Sequence, residues 1–137
     1  MKKSKIAILL PFKDHFTNSK AGSASIWVKD FNKKSSYKDQ ITIFGNTDDS
    51  HDLIDKKKYI NLSLQNFTIG SKNILYVKEF IKYYSKHKFD LIEIHNRPSY
   101  VHQIKNNNLN VKLVLIFHNN PLTLGGSTSL NERHSLL

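Results

Sequence analysis

The chain has 137 residues, 39% hydrophobic and 23% charged, with 21 Lys and Arg against 11 Asp and Glu, a formal net charge of +10 and no cysteine. That length suits one domain with a real core, the hydrophobic content argues against disorder, and the missing cysteine excludes disulfides and thiolate sites. The basic balance favours anionic partners such as nucleotide phosphates, nucleic acid or acidic lipid, although a solvated lysine-rich surface explains it as simply; arginine occurs only at Arg97 and Arg133.

Taken in chain order, Ile6 to Leu10 is a short apolar run ended by Pro11, as in a strand covered on both faces. The opening "MKKSKIAILLPFKDH" imitates a signal peptide but lacks a small-residue cleavage site, so it reads as the first strand. After a polar loop, Gly22 and Ser23 open "SASIWVKDFNKK", where Ile26, Trp27, Asp30 and Phe31 fall at helical spacing and Ser23 or Ser25 can cap. A second strand covers Ile41 to Phe44 and stops at Gly45; "KYINLSL" is a short third, and Asn66 to Ser71 a loop. "KNILYVKEFIKYYSKHK" is the clearest helix, with Ile74, Val77, Phe80, Ile81 and Tyr84 as its apolar stripe. "DLIEIH" is the fourth strand, "PSYVHQIKNNN" a helix with Val101 and Ile104 inward, and "VKLVLIFH" a fifth, buried strand. "LGGSTSLNERHSLL" reads as a Gly-rich loop entering another helix, with Gly125 and Gly126 giving mobility or a plain turn.

Strands alternating with helices predict a Rossmann-like three-layer α/β domain with a mostly parallel sheet and right-handed crossovers. In such a sheet, ligands bind outside the carboxyl ends of the strands. With strand order 3-2-1-4-5, the ends of strands one, four and five converge. His95, Asn96 and Arg97 follow the fourth strand, and His118 and Asn119 follow the fifth. Imidazole and amide groups offer both donors and acceptors, which suits hydroxyl-rich ligands. Plainer roles exist for each: a strand-end histidine can satisfy backbone groups, Asn119 and Asn120 can be turn residues before Pro121, and Arg97 can form a surface ion pair instead of holding a phosphate. A cleft-edge His118 is expected to contribute little to folding.

Gly22 at a helix N-terminus is an anion-site signal. There is no G-x-G-x-x-G, Walker loop, H-E-x-x-H or G-x-S-x-G. Asp48, Asp49, Asp52 and Asp55 lack calcium-loop spacing and read as a solvated loop. No cofactor or metal is called for. Trp27 and Phe31 read as core before stacking platform, and Tyr76, Tyr83 and Tyr84 as amphipathic packing. No segment approaches the ~20 apolar residues that span a bilayer.

The order of elements, with "KIAILLPF", "KAGSASIWVKDF", "ITIFGNTD", "FDLIEIHNRP" and "LVLIFHNNP", resembles the N-terminal half of the retaining family 4 glycosyltransferases of GT-B architecture. The resemblance covers essentially the whole chain. It implies that residues 1–137 are one acceptor-side domain, that the donor-binding domain with its paired glutamates lies outside this chain, and that the chain is a fragment with little activity alone. By the same resemblance Gly22 lies near the donor phosphates (the usual Gly-Gly pair being Ala21-Gly22 here), His118 contacts the donor sugar, and His95 stands at the cleft mouth. Ser23, Asn96, Arg97 and Asn119 complete the candidate substrate-binding set. Implied partners are a nucleotide-sugar donor and a hydroxyl acceptor on a glycan or lipid, with peripheral contact to anionic membrane from the cytoplasmic side and no nucleic acid. The competing reading is a non-enzymatic basic α/β module that binds nucleic acid or anionic membrane; a third is another Rossmann-type nucleotide-binding enzyme, against which the missing fingerprint counts.

Overall fold

β1 (Ile6–Leu9) is the middle strand of a five-stranded sheet whose other members are β2 (Ile41–Gly45), β3 (Tyr59–Asn61), β4 (Leu91–His95) and β5 (Lys112–Ile116), in the order β3-β2-β1-β4-β5. Every pairing is parallel. The computed structural model describes residues 3–47, 51–64, 70–107 and 109–119. The expected Gly125–Gly126 loop and closing helix, most of the Asn66–Ser71 loop, and Asp48, Asp49, Asn120 and Pro121 lie outside the described residues.

Helix α1 (Ser23–Lys34) connects β1 to β2, α2 (Lys72–His87) connects β3 to β4, and α3 (Pro98–Asn106) connects β4 to β5. Alternation along each strand divides the sheet into two faces. Ala7, Leu9, Phe44, Ile92 and Ile94 meet Tyr76, Val77, Phe80 and Tyr84 of α2 and Tyr100, Val101 and Ile104 of α3. Ile6, Ile8, Ile41 and Ile43 meet Ala24 and Val28 of α1, with Phe16 from the loop after β1. The result is the expected three-layer Rossmann-like domain.

Two helix stripes differ from the sequence reading. In α2 the buried face is Tyr76, Val77, Phe80 and Tyr84, and Ile74 is 50% exposed. Tyr76 displaces Ile74 because its hydroxyl can donate to the Leu10 carbonyl at 2.7 Å, so its polar end is satisfied inside the core. In α1 the buried residues are Ala24, Ser25 and Val28, while Ile26 and Phe31 are exposed. Small residues at the contact let the helix lie close to the sheet.

β5 is also not the fully buried strand its five apolar residues suggest. Leu113 and Leu115 pack on the α2–α3 side, whereas Lys112 and Val114 are exposed. The reason is position: β5 is an edge strand, and among the described residues the α1-side core stops short of it.

Phe80 is fully buried, whereas Ile74 projects outward. Phe80→Ala is expected to cost ~3–5 kcal/mol of unfolding free energy, and Ile74→Ala under about 0.5 kcal/mol. Urea denaturation of both variants checks the assignment of the buried face.

Candidate functional site

The carboxyl edge of the sheet begins with a buried charge. In "LIEIH" the even side chains, Ile92 and Ile94, enter the α2–α3 core, so Glu93 and His95 share the opposite face. Glu93 is 8% exposed and His95 is 0% exposed. A carboxylate there needs a partner, since an unpaired buried charge costs several kcal/mol. His95 supplies it, with Nε2 2.6 Å from Glu93 Oε1.

The other nitrogen of His95 is engaged as well. Nδ1 lies 2.7 Å from His118 Nε2. The two rings are within 10° of parallel with centroids 5.0 Å apart. With so short a contact between nitrogens, that separation describes rings set edge to edge in one plane. Glu93, His95 and His118 therefore form a continuous hydrogen-bonded row running from the strand interior to the sheet edge.

Sheet register places His118 at the end of this row. His95 pairs with Ile116 across the β4–β5 ladder, so His118 follows two residues later. Asn96 then locks the turn. Its backbone N–H donates to the Ile116 carbonyl at 2.8 Å, and its side-chain Oδ1 accepts from the His118 N–H at 2.7 Å. Asn96 has φ 54, a left-handed conformation that asparagine tolerates better than most residues. Arg97 is the residue before α3, and its Nη1 donates to the Asn96 carbonyl at 2.9 Å. Pro98 begins the helix where no N–H is needed. Asn119 is exposed next to His118.

Trp27 of α1 closes the row from the side. Its ring centroid lies 5.2 Å from that of His95 and 5.9 Å from that of His118, and Phe31 stacks behind it at 4.8 Å. Trp27 is therefore a partly buried residue that packs against the α1-side core and walls the histidines at the same time. Burial, followed by the neighbouring His95, holds His118 below the ordinary histidine range, with Asp14 and Glu93 pulling the other way.

Gly22 and Ser23 stand at the start of α1, but neither serine caps it with its side chain. Asp14, from the loop after β1, does so. Its carboxylate accepts from Gly22 N–H at 3.0 Å, Ala24 N–H at 3.2 Å and the Ser25 hydroxyl at 2.6 Å. A Cβ on Gly22 would come within 2.7 Å of that carboxylate, so only glycine permits the approach. The positive end of α1 is thereby already matched by the chain's own anion.

Tyrosine hydroxyls brace the same edge. Tyr100 accepts from Phe12 N–H at 3.0 Å and donates to Asn73 Oδ1 at 2.6 Å. In the acidic segment, Asp52 accepts from Ser19 N–H at 3.0 Å and from the Ser19 hydroxyl, which holds its carboxyl below the usual range; its role is to fasten the two loops. Among the described residues, no group of three His, Asp or Glu is disposed to hold a metal ion, and no helix is long and apolar enough to cross a membrane.

The structure thus brings His95, Asn96, Arg97, His118 and Asn119 to one edge. Sequence reasoning missed Glu93 and Asp14. Glu93 could have been found from its place in an otherwise apolar strand, two residues before His95. The little-cost expectation for His118 also needs correction: truncating it strips a buried imidazole nitrogen of its partner, which costs about 1–3 kcal/mol.

A five-stranded parallel sheet with helices on both faces and a polar carboxyl edge is a Rossmann-like α/β fold. It matches part of sucrose-phosphate synthase from Thermosynechococcus elongatus, a glycosyltransferase of GT-B architecture, with a TM-score of 0.57 at 15% identity. The match covers 84% of this chain and 33% of that one, so the chain spans about a third of the length of the enzyme. No family model matches, and no curated protein does.

Removing the Asp14 cap tests the α1 assignment. Asp14→Ala is expected to cost about 1–2 kcal/mol, and Gly22→Ala to destabilise as well by forcing Asp14 away. Chemical denaturation of each variant and of the pair provides the check: because both act on one contact, their losses should not add.

Proposed function

We propose that residues 1–137 are the N-terminal, acceptor-side domain of a family 4-like retaining glycosyltransferase, which moves a sugar from a nucleotide-sugar to a hydroxyl acceptor on a glycan or lipid. The observation that carries this reading is the polar row at the carboxyl edge, in a fold shared with a glycosyltransferase. His118 is the donor-sugar contact, with Asn119 and Arg97 beside it. Gly22 and Ser23 border the site, but Asp14 opposes a phosphate there, so the diphosphate would rely on a second α/β domain. The excess of lysines gives the surface an affinity for anionic membrane.

The test is a titration of the chain with a panel of nucleotide-sugars, followed by NMR. Saturable shifts at His118 and Asn119 with Kd near the millimolar range, about −4 kcal/mol, are expected. His118→Ala should weaken that binding about tenfold, or 1.4 kcal/mol. No response to any nucleotide-sugar, together with tight salt-sensitive binding of duplex DNA, would replace this reading with the basic binding module.

A further inference from the structure

The row Glu93–His95–His118 has only one self-consistent proton arrangement when it carries no extra proton. An ionised Glu93 can only accept, so His95 Nε2 must bear the hydrogen between them. A neutral imidazole has one N–H, which leaves His95 Nδ1 as a lone pair. The hydrogen in the 2.7 Å contact to His118 then belongs to His118 Nε2. It follows that His118 Nδ1 carries a lone pair, and among the described residues nothing hydrogen-bonds to it.

We propose that Glu93 and His95 are positioning residues that fix His118 in its Nε2–H form, so that the atom offered to the cleft, Nδ1, accepts a hydrogen bond from a ligand hydroxyl and rejects phosphate. This deepens the glycosyltransferase reading and rests on it for the identity of the ligand. A carboxylate that sets the tautomer of an imidazole is a general device; here a second imidazole transmits the setting outward.

The same geometry defines what one added proton does. The proton binds His118 Nδ1, and the hydrogen on His118 Nε2 passes to His95 Nδ1. The positive charge then rests on His95 against Glu93, where it neutralises the buried carboxylate, and His118 is left neutral with Nδ1–H pointing outward. The outer atom of the row thereby changes from acceptor to donor. The groups facing it are Glu93 and His95 from β4 and Asp14 from the loop after β1; α1 contributes the uncharged Trp27. Asp14 and Glu93 favour proton uptake, while burial opposes it.

Histidine nitrogens labelled with ¹⁵N in the ligand-free chain report the tautomers directly. At pH 8 the expected pattern is a protonated Nε2 and a bare Nδ1 on His118, with a protonated Nε2 on His95. Inorganic phosphate should leave the His118 signals unmoved at pH 8. On acidification, His118 Nδ1 and His95 Nδ1 should gain protons together. In Glu93→Gln the midpoint should fall by about one pH unit or more, because the nearby negative charge is gone. A protonated Nδ1 on His118 at pH 8, His118 signals moved by phosphate at that pH, or an unmoved midpoint in a folded Glu93→Gln variant overturns the proposal. None of these readouts uses a sugar donor, so they fail independently of the nucleotide-sugar titration.

Discussion

A carboxylate in the middle of a buried strand has to be answered, and in this chain the answer organises one whole edge of the molecule. Glu93 sits between Ile92 and Ile94, both fully buried in the opposite core. Left unpaired it would cost several kcal/mol, a large fraction of the stability of a small domain. His95, two residues on and on the same face, fills the requirement. Its ring is then no longer free to rotate, and its second nitrogen needs a partner in turn, which is His118.

The parallel sheet makes that second partnership geometrically available. Strands that all run the same way deliver all their carboxyl ends to one edge, and the β4–β5 register sets His95 opposite Ile116. Asn96 completes the link from the backbone side, accepting from His118 through its side chain while its left-handed turn sends the chain into α3. Trp27 covers both rings from α1. The first loop contributes differently: Asp14 binds the start of α1, so the positive end of this helix is matched by the chain's own carboxylate.

Much of this was legible from the residues. Short apolar segments ended by turn residues marked the strands, "KYINLSL" most weakly, and the alternation with helices predicted the parallel sheet; the order 3-2-1-4-5 entered as a premise, and the sheet has it. The placement of His95 and His118 at one edge followed from that order alone. What the sequence concealed depended on contacts between distant segments. Tyr76 outranked Ile74 as a core residue because the Leu10 carbonyl, just past β1, stands within reach of its hydroxyl, which helical periodicity cannot reveal. The apolar run of β5 said nothing about being at an edge. Ser23 and Ser25 looked like caps because capping residues usually lie at the helix start, whereas Asp14 reaches in from eight residues before Gly22. The pairing of Glu93 with His95 was written in the strand's period of two, but a single glutamate draws notice only once the strand is known to be buried.

The central claim is that Glu93, His95 and His118 act as one unit although its two ends do not touch. A double-mutant cycle on unfolding free energy, using Glu93→Gln, His118→Gln and the double variant, measures that coupling directly. If His95 joins the two ends, the losses should depart from additivity by at least about 0.5 kcal/mol, as linked groups do. Losses that add to within about 0.3 kcal/mol, the behaviour of independent sites, would contradict it.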